Sequence, residues 1–238
     1  MPIALRILPG LDGTGRLSAA FLEALRMQGV DDASAIGYPV DRCLNHAALA
    51  DHARGLLPAD RPFALLAESF SWPIGLAIAA DSPPGLCALI LSTTFARAPL
   101  PGCAPLAPLL RFAPVHSAPD ALLSALLLGR WSTPALRDAL RDTLRQVDAD
   151  VLRDRAARSL RVDHRAYLAR IRTPTLVLEA RHDRLLSAAS SAALAAGIGT
   201  AHHVRIDGPH LLLQTRADAC ALEVATFIAG LRTGVARP

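Results

Sequence analysis

The chain has no lysine: all 25 of its basic residues are arginine, set against 21 acidic ones for a net charge of +4. The missing lysine reads as coding bias rather than function. The arginines alternate with aspartates instead of running together, which argues for solvated surface and against a nucleic-acid face. Aromatic residues are scarce, at 4%, so the core must be built from Leu, Ala, Val and Ile. No stretch of about 18 apolar residues occurs, and none is expected to span a membrane. The first apolar run, Pro2 to Leu8, is short and broken by Arg6, unlike a secretory signal. Cys43, Cys87, Cys103 and Cys220 lack C-x-x-C spacing, which favours reduced thiols over a disulfide frame or a zinc site. The cytoplasm is the expected compartment.

What is present fits a globular protein. With 238 residues, 52% hydrophobic and 19% charged, the chain can bury about three quarters of its unfolded surface as one α/β unit with an insertion. Its organising stretch runs from Phe63 to Ala80, an apolar run that stops at Ser69 and resumes with helical character. That pattern predicts strand, sharp turn, helix, with Ser69 at the apex, as in the G-x-S-x-G nucleophile elbow. Ala67 and Ser71 stand where the glycines would be, small enough to fit, while Trp72 adds a large ring with no evident role beyond walling a pocket or packing under a cap.

Upstream, Ile3 to Leu8 reads as a strand ending in the glycine loop Pro9 to Gly15, followed by a helix over 16–27. The loop matches neither G-x-G-x-x-G nor a P-loop; its other use is to aim a backbone N–H at an oxyanion. A strand over 33–38, a helix over 45–57 and a continuous apolar strand over 86–91 follow. From 96 to 171 the pattern changes. Prolines 99, 101, 105 and 108 punctuate the entry, then helices are predicted near 120–128, 134–147 and 150–160, with 13 arginines, counting Arg172 at the boundary, against seven aspartates. Arg137, Arg141 and Arg145 share one helical face, read as a solvated surface or, more sharply, as a dock for an acidic partner. A strand over 173–180, a helix over 188–196, a strand over 203–206 and a helix over 216–231 complete the chain.

Strand and helix thus alternate about six times, predicting a doubly wound, mostly parallel α/β sheet of about six strands with its crevice at the strands' carboxyl ends. Residues 1–95 and 172–238 form the expected core, and 96–171 a helical cap. Ser69, Asp183 and His210 each follow a strand, in the chain order Ser, Asp, His. A serine needs an imidazole as base, and the imidazole needs a carboxylate to fix its tautomer. Asp207 is the rival carboxylate; His202 and His203 read as structural, and Asp12 as a turn-shaping residue. His182-Asp183 lacks a second ligand pair, so no metal and no cofactor are expected. The N–H groups of Phe70 and Leu11 are the expected oxyanion donors, with Gly10 and Trp72 beside the substrate.

Together, Leu8-Pro9-Gly10-Leu11-Asp12-Gly13-Thr14-Gly15, Glu68-Ser69-Phe70-Ser71, the strand before His182-Asp183, and Gly208-Pro209-His210 resemble small bacterial α/β-hydrolases along the whole chain except the cap. The resemblance implies that Gly10-Leu11 replaces the usual His-Gly oxyanion motif, with Pro9 at the histidine position, and that the N-terminal strands of larger members are trimmed. Among relatives, carrier-protein methyl ester esterases are similar in size, order and helical cap. That likeness implies an ester substrate on an acyl chain, with an acidic acyl carrier protein met by cap arginines. The same triad would also serve a thioesterase, and a non-catalytic binding protein on this fold is the rival class.

Overall fold

The structure, a computed structural model, describes residues 2–95 and 101–232. Arg97, Pro99 and residue 96, the first of the expected cap, lie outside the described residues, as does the side chain of Cys103. Six strands form a single sheet in the order β2-β1-β3-β4-β5-β6, every neighbouring pair parallel. They are β1 (Ala4–Leu8), β2 (Ala33–Ala35), β3 (Phe63–Glu68), β4 (Leu86–Ser92), β5 (Thr175–Ala180) and β6 (Ala201–Ile206). Parallel strands covered on both faces are apolar along their whole length, and every residue of β3 and β5 is buried.

The period-two alternation of each strand divides the core into two layers. Leu5, Ile7, Ala64, Leu66, Ile90, Leu176 and Leu178 face α1 (Ala19–Met27) and α10 (Ala217–Arg232), where they meet Phe21, Leu25, Ala221 and Val224. Leu8, Leu65, Ala67, Leu89, Leu91 and Val177 face the other way, against α2 (His46–Arg54), α3 (Trp72–Ala80) and α8 (Ala188–Gly197). The chain leaves β1 toward β2 on one side and β3 toward β4 on the other. The carboxyl ends of β1 and β3 therefore flank the point where the strand order reverses, the usual place for a crevice.

Between β4 and β5 no strand occurs among the described residues. A 3-10 helix spans Pro101–Phe112, then come α4 (Asp120–Leu127), α5 (Pro134–Arg145), α6 (Ala149–Ser159) and α7 (Arg165–Leu168). The 3-10 segment was not foreseen from the sequence. Its prolines at 105 and 108 are three apart, and at three residues per turn they share one side of such a helix.

Elsewhere the differences are local. β2 ends at Ala35 rather than 38 because the chain turns to the neighbouring loop: the N–H of Tyr38 donates to Gly13 O at 2.7 Å. The expected closing helix is α10, and an unforeseen short helix, α9 (Leu212–Thr215), precedes it, parted from it at Arg216, whose φ of −132° is not helical. β6 begins at Ala201 and holds both His202 and His203, the latter 2.8 Å from Glu179. Among the described residues no helix is long and apolar enough to cross a membrane.

Candidate active site

Ser69 stands directly after β3 with φ of 45°, a left-handed conformation that non-glycine residues adopt only where surrounding structure enforces it. The turn it makes, Ser69–Ser71, opens α3, and Pro73 occupies the first turn of that helix, where a missing N–H costs little. Helix and strand approach closely here. A Cβ added to Gly75 would lie 2.7 Å from the Cβ of Ala67, so neither position tolerates bulk.

Ser71 is more than a small residue in a glycine's place. Its hydroxyl donates to the carbonyl of Pro9, and Tyr38 Oη, 2.7 Å away, donates to Ser71 Oγ in turn. A hydroxyl has one proton to give, so the direction of this chain is fixed. It ties the elbow to the loop after β1, and burial raises the pKa of Tyr38, keeping it a donor. Trp72 has no exposed surface; it packs edge-on against Phe95 at 5.1 Å and His164 at 5.6 Å, beneath the segment between β4 and β5.

The three residues singled out for their chain order meet. Ser69 Oγ lies 2.8 Å from His210 Nε2, and His210 Nδ1 lies 2.7 Å from Asp183 Oδ2. Because an ionised carboxylate can only accept, Nδ1 carries the imidazole proton and Nε2 is left to accept from Ser69. The other oxygen of Asp183 accepts the N–H groups of Leu185 at 2.8 Å and Leu186 at 2.9 Å, which lock its orientation. The side chains of Asp183 and His210 are 6% and 5% exposed, so the pair is screened from water. Asp207, the rival carboxylate, turns elsewhere: it accepts from His182 Nε2 at 2.8 Å and from Arg130.

The loop after β1 folds over the same strand ends. Gly10 O accepts the N–H of Gly13 at 3.0 Å, and Asp12 Oδ2 accepts the N–H of Thr14 at 2.8 Å, so Asp12 shapes the turn as its position suggested. None of these bonds uses the N–H of Leu11. Gly10 is buried between the carboxyl groups of Asp12 and Glu68, each 3.9 Å from where its Cβ would stand. Phe70 is 3% exposed, its ring 5.2 Å from that of His46.

Four residues at this site escaped the sequence reading: Tyr38, Glu68, Gln214 and Arg155. Glu68 precedes the serine and is buried, which pushes its carboxyl up to about 7; a hydrogen bond from Gln214 at 3.0 Å and one from the Gly10 N–H oppose that rise, and Asp12 adds to it. Only Glu68 carried a local signal, its place inside the elbow. Burial also lowers His46 to about 4, leaving a neutral ring behind Phe70. Two clefts of about 460 and 420 Å³ border α6, but Ser69, Asp183 and His210 line neither. Among the described residues no group of three or more His, Cys, Asp or Glu side chains could hold a metal ion.

No protein-family model matches the chain, and no curated protein matches its sequence. Solved structures do match. An enol-lactonase from Burkholderia xenovorans LB400 superposes with a TM-score of 0.82 at 20% identity, over 96% of this chain and 92% of that one. A hydrolase from Pseudomonas aeruginosa PA01 gives 0.79 at 23% identity, over 95% and 89%. A thermophilic esterase from Thermogutta terrifontis gives 0.79 at 18% identity, over 96% and 90%. At these identities the likeness is one of architecture, and the architecture is the α/β-hydrolase fold.

Proposed function

We propose that the protein is a serine hydrolase that cleaves a carboxylic ester through an acyl-enzyme. The observation that carries this reading is the continuous relay from Ser69 Oγ through His210 to Asp183, with the serine held at a positive φ on a strand-to-helix turn. His210 Nε2 takes the proton of Ser69 as the oxygen attacks the carbonyl, and Asp183 stabilises the imidazolium that forms. The negative charge on the carbonyl oxygen is met by the N–H groups of Phe70 and Leu11, each such donor contributing about 100- to 1,000-fold in rate. His210 then gives its proton to the leaving alcohol, and a water activated by the same nitrogen releases the acid.

Architectural neighbours that are an esterase and a lactonase, a lactone being a cyclic ester, support the bond type. We read residues 1–95 and 172–238 as the core that carries the triad, and 96–171 as the cap over it. The narrower reading, a methyl ester on a carrier-bound acyl chain, rests on Arg137, Arg141 and Arg145. Two of these are locally neutralised on α5 and its surroundings: Arg141 pairs with Asp138 and Asp120 and Arg145 reaches Asp142 at 4.0 Å, whereas Arg137 donates to the uncharged Ser132 Oγ. An acidic carrier would compete with those aspartates, so we place the general esterase first.

The test is Ser69→Ala, assayed on methyl, short-chain and long-chain acyl esters with thioester controls. Ester turnover and labelling by a fluorophosphonate should both vanish while the thermal unfolding curve stays in place. Turnover retained in the variant would sink the reading; a folded wild type that neither turns over nor labels would favour a binding protein on this fold.

A further inference from the structure

Among the described residues between β4 and β5, Arg155 is more deeply buried than its neighbours on α6, Arg153 and Arg158, which are only partly covered. It leaves α6 inward and is 2% exposed. Its Nη1 donates to the carbonyls of Leu11 at 3.0 Å and Asp12 at 2.6 Å, and its Nη2 to that of Pro39 at 2.9 Å. A guanidinium is tolerated in such a place only when its donors are satisfied, and here backbone oxygens of two loops do so. Burial lowers its pKa, while the charge of Asp12 opposes that shift.

The targets of Arg155 lie on the site already described. By taking the Leu11 carbonyl it fixes the Leu11–Asp12 peptide, while the Gly13 N–H fixes the Gly10–Leu11 peptide through the Gly10 carbonyl. The N–H of Leu11 belongs to that second peptide, so its direction is set from both sides. The same guanidinium stands 5.9 Å from the ring centre of Phe70 and 5.7 Å from that of Tyr38, which holds Ser71. Gly13 shows that the loop is shaped around it: with φ of 72°, a Cβ there would fall 2.3 Å from Nη1.

We propose that Arg155 is a positioning residue, through which α6 holds the Leu11 and Phe70 donors in the geometry that receives the oxyanion. The segment between β4 and β5 is then a working part of the catalytic machinery as well as a cover. The inference rests on the serine-hydrolase reading above. An arginine is suited to the task because its planar fork serves several carbonyls at once, which a lysine ammonium does not match.

The experiment compares wild type, Arg155→Lys and Arg155→Met, with Ser69→Ala as control, on a p-nitrophenyl ester and on a trifluoromethyl ketone, whose adduct with Ser69 places an anionic oxygen at the donors. For Arg155→Met, kcat should fall about 10- to 100-fold with KM changed by less than about three-fold. Affinity for the ketone should fall by the same factor as kcat, and Arg155→Lys should fall between the two on both measures. Folded variants that keep kcat within about two-fold, or lose kcat without losing ketone affinity, would overturn the proposal. If Arg155→Met does not fold, Arg155→Lys decides alone. Failure of both to fold also counts against it, since the residue would then hold the fold rather than the donors. A wild type without Ser69-dependent turnover would remove the hydrolase reading itself, an outcome distinct from these.

Discussion

The sheet and the segment between β4 and β5 reach the same site by different physics. Ser69, Asp183 and His210 follow strands whose positions are set by parallel registry and by two apolar layers, and β3 and β5 are buried at every residue. The segment has no such frame. α4 buries none of its residues fully, although six of its eight are Leu or Ala, and Leu106, Leu109, Phe112 and Leu122 are all more than half exposed. Only its end, through Val162, Leu168 and Ile171, joins the core beside α3 and α8; the rest is held by small clusters, Leu128 with Leu140 and Leu211, and Val147 with Val151 and Leu152, and by the reach of Arg155. Groups that must meet within a hydrogen bond's tolerance sit on the rigid half, where a small displacement costs most in rate.

The largest effect that tests this division is within the rigid half. Asp183→Asn leaves the carboxamide where the carboxylate stood but offers a donor where His210 Nδ1–H needs an acceptor, favouring the wrong tautomer. By analogy with the serine proteases, kcat should fall by about 10⁴-fold. Asp207→Asn, on the exposed pair with His182 and Arg130, should leave kcat within about two-fold. A steady-state assay of both variants checks the contrast, and comparable losses would mean that strand position does not select the working carboxylate.

The same division governs what could be read from residues alone. The continuous apolar run Leu86 to Leu91 announces a buried parallel strand, and a serine, an aspartate and a histidine each placed after a strand have few other places to meet. Helices α4, α5 and α6 were also legible, within a few residues of their ends. The function of Arg155 was not. It is one of many arginines in an alternating charged pattern, and what sets it apart is the direction its helix turns after folding. Ser71 was legible as a small residue and silent as a hydrogen-bond link, because its partners Pro9 and Tyr38 come from distant parts of the chain. The 3-10 stretch at Pro101–Phe112 was hidden because proline usually marks an end to helix.

In stability the two halves should separate as clearly. Trp72 is fully buried against Phe95 and His164, and Trp72→Ala removes that contact and leaves a cavity, costing about 3 to 5 kcal/mol. Phe112, a comparable ring 68% exposed, should change stability by no more than about 0.5 kcal/mol when made Ser. Urea unfolding with a common m-value measures both. If Phe112→Ser is as damaging as Trp72→Ala, the segment has a packed core of its own and the contrast between the halves fails.

The smallest effect lies where the rigid half carries a conflict, at Glu68. Its carboxyl is raised to about 7 from an ordinary 4.5, chiefly by burial. The folded state therefore binds that proton more tightly than the unfolded one, and between those two values wild-type stability falls as pH rises; above about 7 the loss is complete. Glu68→Gln cannot ionise and lacks this loss. Each tenfold difference in proton affinity between the folded and unfolded chain is worth about 1.4 kcal/mol, so the variant should gain on wild type by roughly 2 to 3 kcal/mol between about pH 5 and about pH 8. Urea titrations of both proteins at the two pH values measure it as a difference, which cancels the other titrating groups common to both. A stability difference that does not move with pH would mean that Glu68 ionises normally, the Gly10 N–H and Gln214 offsetting its burial in full. The carboxylate would then be a fixed acceptor for the loop after β1, and that loop would be held from the sheet side as firmly as Arg155 holds it from α6.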